Sequence, residues 1–356
     1  MRQSRDVIAD FRSDTMTRPT EGMLRRMVAA EVGDDCWGTD PTTRALEERC
    51  ADLLGKEAAL FTTSGTLSNQ LALRVHTVPG DEVVLDASTH LVVYEGAQSA
   101  DLGHVVFNTL GAEDGLVSPK DLEMVLGGRA RGPAYAAPRL LCLENTVNWH
   151  AGRVLPLDDM RRLRSVSGAM GTATHLDGAR LPNASVATGV SMAEYAATVD
   201  TVSVCFAKGL GAPFGSVLAG PADLIRAAKR FRKWYGGDLH QSGILAAAAD
   251  YALDHHVDRL AEDHENAVLL AGLLGGNPLL KPDLHVPMTN IVVVDVTATG
   301  LTSEEFVAAA ADLGVLLGDW RPGTVRAVTS MCVDAAAVRR AADRLNLLAH
   351  RATATV

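Results

Sequence analysis

Two hydrophobic rhythms alternate along this chain. Short apolar runs recur at Glu57–Phe61, Glu82–Leu85, Arg139–Leu143, Ala173–Leu176 and Thr201–Phe206, and a later one, Asn290–Val296, reads NIVVVDV. Runs this short and this uniformly apolar predict strands covered on both faces, as in a parallel sheet. Between them apolar residues return at helical spacing. Thr43–Leu54 carries Leu46, Cys50, Leu53 and Leu54 on one face and is stopped by Gly55. Leu67–Val75, the alanine-rich stretch Ser242–Ala271 and a segment near Ser303–Leu313 read the same way. Val217–Ala219 reads as a hairpin partner of the strand before it.

Repeated strand–helix order predicts an α/β fold with a mainly parallel sheet. NIVVVDV, the helix near Ser303 and Thr324–Val328 suggest a smaller α+β lobe. No repeat or low-complexity linker appears, so the lobes are expected to meet by packing. The expected division is an N-terminal segment 1–20 lying on the small domain, a large domain 21–260 and a small C-terminal domain 261–356.

Composition narrows the picture. With 356 residues, 47% of them hydrophobic, the chain is long enough for two lobes. A formal charge of −10 argues against broad binding to nucleic acid or anionic membrane. Five scattered cysteines without a CxxC pair suggest neither a disulfide framework nor a structural zinc, and no metal is expected. The N-terminal stretch MRQSRDVIADFRSD lacks the apolar run of a signal peptide, and no segment is long enough to span a bilayer, so a reducing cytoplasm is expected.

The chemistry-bearing residues fall where apolar runs end. In open α/β sheets, ligands bind at the carboxyl ends of strands. Thr63-Ser64-Gly65-Thr66 lies between a strand and a helix start, where free N–H groups and hydroxyls suit a phosphate, although Ser and Thr are also ordinary helix caps. Asp177, in His175-Leu176-Asp177-Gly178-Ala179-Arg180, could pair with a protonated pyridine nitrogen, and Arg180 with a carboxylate; a surface Asp–Arg pair is the plain alternative. Lys208 follows the apolar run Val202–Phe206, and a lysine ending a buried strand is costly unless it is paired or used covalently, as in a Schiff base. The glycines of 209–215 have the wrong spacing for a dinucleotide loop, and Pro213 opposes a helix there. His90, at another strand end, could stack on a cofactor ring and exchange protons, or be structural.

Taken in order, these segments resemble the threonine aldolase family of fold-type-I pyridoxal-phosphate enzymes, with the β-eliminating lyases as wider relatives. The resemblance covers nearly the whole chain. It rests on Phe11–Thr15, Gly33-Asp34-Asp35 with Asp40-Pro41-Thr42, Gly55–Ala59, Ser64-Gly65-Thr66, His90 before Tyr94-Glu95, Glu144-Asn145-Thr146, His175–Arg180 and Lys208–Pro213. It implies an aspartate aminotransferase-like large domain. Lys208 would carry pyridoxal 5′-phosphate, Asp177 would face its ring nitrogen, and His90 would stack on it. Ser64, Gly65 and Thr66 would form the phosphate cup, with Arg180 also at the cofactor. Ser13, Arg180 and Arg326 would bind the substrate carboxylate. It further implies active sites shared between subunits of a homodimer or homotetramer.

The implied reaction is cleavage of a small β-hydroxy amino acid to glycine and an aldehyde, or its reverse. A β-eliminating lyase or dehydratase, and a non-catalytic binding protein, are the rivals. Departures from the family pattern surround the site: Ala207 for a serine, Val147 for a histidine, His240 for an arginine, and Thr329-Ser330 where Thr-His is usual. The segment 129–138 also lacks a histidine expected near a substrate hydroxyl.

Overall fold

A computed structural model describes residues 7–112, 114–127, 134–285 and 288–353. Its central sheet contains β1 (Ala58–Thr62), β2 (Glu82–Asp86), β3 (Val106–Leu110), β4 (Pro138–Glu144), β5 (Ala173–Gly178), β6 (Thr201–Cys205) and β7 (Ser216–Gly220). Their spatial order is β1-β7-β6-β5-β4-β2-β3. Strand β7 runs antiparallel to both neighbours, and the other pairs are parallel. All the expected strands of this sheet are present, and β7 is indeed the antiparallel partner of β6. The edge strand β3 has no counterpart in the apolar pattern of the sequence. Asn108 and Thr109 interrupt its apolar pattern, and the strand is partly exposed, so it lacks the signal of a doubly covered strand.

Helices cover both faces because their apolar stripes need burial. Helix Pro41–Leu54 begins at Asp40, whose Oδ1 accepts the Thr43 N–H at 2.9 Å, and ends at Gly55, φ 61°. Leu46, Cys50 and Leu54 are buried, but Leu53 is 39% exposed, correcting its expected place. It stands in the last turn, at the rim of that apolar surface. The stretch expected to be helical over Ser242–Ala271 is two helices, Gly243–His255 and Leu260–Gly275. At the break the His256 Nδ1–H donates to the Leu210 carbonyl at 2.6 Å, tying the turn to the loop that follows Lys208.

The smaller sheet, ordered β10-β11-β9-β8, contains β8 (Lys281–Pro282), β9 (Ile291–Asp295), β10 (Gly318–Arg321) and β11 (Thr324–Val328) and is antiparallel. Phe11, Leu270, Leu274, Val292, Phe306 and Val325 share its buried cluster. Residues Ala9–Asp10 pair in parallel with Val315–Leu316, and the Val328 N–H donates to the Phe11 carbonyl at 2.8 Å. Among the described residues no helix is long and apolar enough to cross a membrane.

Candidate active site

Parallel strands present their carboxyl ends along one edge, and the sheet register places Glu144 beside Asp177 and Asp177 beside Ser203. Lys208 leaves the end of β6 three residues after Cys205. A cleft of about 100 Å3 at this edge is lined by Gly65, Thr66, Asn69, His90, Glu95, Asp177, Ala179, Cys205 and Lys208. Five residues singled out in the sequence therefore meet in one place: Gly65, Thr66, His90, Asp177 and Lys208.

Asp177 is buried, and its Oδ1 accepts the Ala179 N–H at 3.0 Å while Oδ2 accepts from Asn69 Nδ2 at 2.8 Å. Burial raises its pKa, but His90, Lys208 and these donors outweigh it and hold the carboxyl below its usual range. Asn69 Nδ2 also donates to Glu95 at 3.1 Å, so its oxygen is the acceptor for Ser203 Oγ at 3.1 Å and His175 Nε2 at 3.2 Å. His175 therefore carries its proton on Nε2, and its Nδ1 accepts the Thr201 hydroxyl at 3.0 Å. The Thr201 oxygen in turn accepts from His76 Nε2 at 2.9 Å. Burial pushes both imidazoles down to about 4, which keeps them neutral, as this chain of donors requires.

The His90 Nδ1–H donates to Glu95 at 2.7 Å, leaving Nε2 as its other ring nitrogen. Burial opposes the charge on His90, but Glu95, Asp177 and Glu144 prevail and raise its pKa. Beneath it, Glu144 accepts the His90 N–H at 2.6 Å and the Asn148 N–H at 2.9 Å; burial, then Asp177, push its carboxyl up to about 7.

The expected phosphate cup divides. Ser64 Oγ accepts the Leu67 N–H at 3.1 Å and so caps helix Gly65–His76, whereas Gly65 and Thr66 line the cleft. Apart from its chain neighbours and its own helix, no atom of the described residues lies within 4 Å of where a side chain on Gly65 would begin. An ionised buried carboxylate, an amine at a strand end and an open helix N-terminus form a donor set that fits pyridoxal phosphate.

The expected carboxylate-binding residues Ser13, Arg180 and Arg326 do not line that cleft, and the two arginines are linked to it through Asn148 and Glu144. Arg180 is in a buried bidentate pair with Asp14, at 2.7 and 2.8 Å, and reaches Asn148 Oδ1 at 3.4 Å. Arg326 donates to the same Asn148 oxygen at 3.1 Å and to the Arg12 carbonyl at 3.2 Å. Ser13 Oγ caps a short turn, accepting from Thr15 N at 3.2 Å. Asp14, Asn69 and Asn148 had no assigned role from sequence. The buried polar run Ser68-Asn69-Gln70 inside an otherwise apolar helix was the available signal for Asn69.

Of the departures, Val147 is buried and pairs its N–H with the Arg153 carbonyl at 2.8 Å, while Ala207 is half-buried just before Lys208. His240 is exposed, with Nδ1 3.0 Å from Asp34 Oδ2. Residues 129–133 of the histidine-lacking segment lie outside the described residues.

The family model described as Beta-eliminating lyase matches residues 10–299. The chain is 43% identical to an uncharacterized protein of Caenorhabditis elegans over 266 residues, 74% of this chain and 64% of that one. It is 40% identical to low-specificity L-threonine aldolase 1 of Arabidopsis thaliana over 311 residues, 86% of this chain and 87% of the relative. The solved threonine aldolase of Leishmania major superposes with a TM-score of 0.81 at 20% identity, covering 96% of this chain and 99% of that one, which shows a shared fold.

Proposed function

The chain belongs to the beta-eliminating lyase family and is a pyridoxal-phosphate-dependent lyase, and from that premise we propose that it cleaves the Cα–Cβ bond of a threonine- or allo-threonine-like amino acid. The products are glycine and an aldehyde, and the reverse addition or an exchange of aldehydes uses the same site. The observation that carries this reading is the meeting of Lys208, Asp177 and His90 in one cleft beside two guanidinium groups.

When bound, pyridoxal phosphate supplies an electron sink for the pair released as a bond at the α-carbon breaks. Lys208 presents the amine that holds it. Asp177, kept ionised, holds a proton on the ring nitrogen, and Gly65 and Thr66, with Ser64 at the cap, meet the phosphate. Arg180 and Arg326, with Ser13 next to the Asp14 that pairs with Arg180, orient the substrate carboxylate so that the Cα–Cβ bond is the one aligned for cleavage. The β-hydroxyl proton leaves to His90 Nε2 or to an ordered water; Glu95, Asp177 and Glu144 raise the pKa of His90 and make that nitrogen the stronger base. The reading extends to a cytoplasmic homodimer or homotetramer with shared sites, and to lobes divided near residue 260.

Incubation with L-threonine, L-allo-threonine and L-serine tests the reaction. Glycine and acetaldehyde are expected from the first two; ammonia and a 2-oxo acid would replace aldol cleavage with elimination. Borohydride reduction of the yellow holoenzyme should leave the cofactor on the peptide containing Lys208, and a label on another lysine would overturn the site. Asp177→Ala should lower turnover by on the order of 10²–10³-fold, a loss in the range set by single polar contacts to developing charge.

A further inference from the structure

Arg326 is a half-buried cation for which no described carboxylate serves as an ion-pair partner. Its Nη1 and Nη2 donate to Asn148 and the Arg12 carbonyl, and its Nε is buried without an acceptor among the described residues. Burial and the neighbouring Arg180 pull its pKa down to about 10, so the group gains from any anion brought to it. What fixes its plane is an indole. The Arg326 guanidinium carbon lies 4.2 Å from the Trp320 ring centroid. Trp320 sits at a register shift between β10 and β11, where Asp319 faces Val325 and Arg321 already faces Thr324. Such a bulge re-aims a side chain out of the normal alternation. Trp320 also meets Trp149, with ring centroids 5.0 Å apart and planes tilted by 46°, and Arg321 lies over Trp149 at 5.5 Å. Trp149 directly follows Asn148, the shared acceptor of Arg180 and Arg326.

We propose that Trp320 is a positioning residue for substrate binding: its indole face, braced by Trp149, holds the Arg326 guanidinium in the orientation that receives the amino acid's carboxylate. The assignment rests on the reading of Arg326 as part of the carboxylate clamp and does not depend on which bond is later broken. A cation on an aromatic face keeps its N–H edge free, so the indole fixes the plane without occupying the donors that a carboxylate needs. An aliphatic side chain at position 320 would keep an apolar contact but lose the aromatic face and leave the guanidinium free to tilt.

The test uses holoenzyme, with glycine as a carboxylate probe that has no β-substituent to lose. Its dissociation constant is read from the change in visible absorbance of the bound coenzyme. Trp320→Leu should weaken glycine, and raise KM for the cleaved amino acid, by about ten-fold, the size of one partly desolvated cation–π contact. Its kcat should stay within about two-fold, while Trp320→Phe restores most of the affinity. In an Arg326→Leu background, Trp320→Leu should add nothing further, because the group it positions is gone. Equal losses in both backgrounds, or a Leu variant that binds glycine like wild type, would overturn the proposal. Wild-type holoenzyme that fails to bind glycine would overturn the clamp and this assignment together. Elimination products from the substrate screen would change only the reaction.

Discussion

The Asp14 carboxylate, fully buried, accepts two bonds from Arg180 and one from Asn290 Nδ2 at 3.1 Å. Burial alone would raise its pKa, yet Arg180 holds it down to about 2, so the pair stays charged throughout the neutral range. Its stabilisation is present above the ordinary aspartate pKa of 3.8 and is lost as pH falls through about 2. Asp14→Ala strands the Arg180 guanidinium without a counter-ion and should cost about 3–5 kcal/mol in denaturant unfolding. Lys208, Asp177, His90, Gly65 and Thr66 could be read from the sequence because each follows a recognisable apolar run. Asp14 lies in the Phe11–Thr15 motif, but its role could not be read, since its partner lies 166 residues away. The same holds for Asn148, which accepts from two arginines, one just after a strand of the central sheet and one on the smaller sheet.

At the level of elements, the turn from β1 into helix Gly65–His76 shows how one hydroxyl can be claimed by the backbone. Ser64 Oγ is bonded to the Leu67 N–H. Ser64→Ala should therefore lower stability by about 1 kcal/mol, the usual worth of such a cap. Coenzyme affinity, measured by equilibrium titration, should change less than in Thr66→Ala, whose side chain borders the cleft. The strands that carry the site were recognisable because both their faces are covered. Strand β3 at the sheet edge and the short β10 were missed because polar residues break their patterns. Periodicity also ran straight through the break near His256, which depends on a contact with the Leu210 carbonyl and leaves no mark on the hydrophobic repeat.

Across the whole molecule, two sets of buried groups oppose each other as pH changes. Burial pushes His76, His175 and His264 down to about 4. The unfolded imidazoles take up protons near 6.5 and the folded ones do not, so stability falls as pH drops across that window. Burial pushes Glu47 and Glu144 up to about 7 and Asp263 to about 6. These folded carboxyls take up protons before their unfolded counterparts, so they add stability as pH drops. The two trends should leave a shallow dependence of Tm on pH between about 5 and 7. Glu47 accepts the Phe61 N–H at 2.8 Å, a bond that glutamine can keep. Glu47→Gln should match wild type near pH 4.5 and exceed it above pH 8 by on the order of 2–3 kcal/mol, as followed by thermal melts across pH.

The threading of residues 8–17 carries a consequence for how the protein is made. Ile8 bonds to the Gly314 carbonyl, Phe11 receives the Val328 N–H, Asp14 holds Asn290, and Thr17 Oγ1 donates to the Lys208 carbonyl at 2.9 Å. Ile8, Phe11 and Asp14 must wait after leaving the ribosome for partners that lie between residues 290 and 328. The side of the cleft that holds Arg180 and Arg326 therefore closes only after residues 290–328 have been synthesised, whereas the sheet edge bearing Lys208 and Asp177 has its strands much earlier.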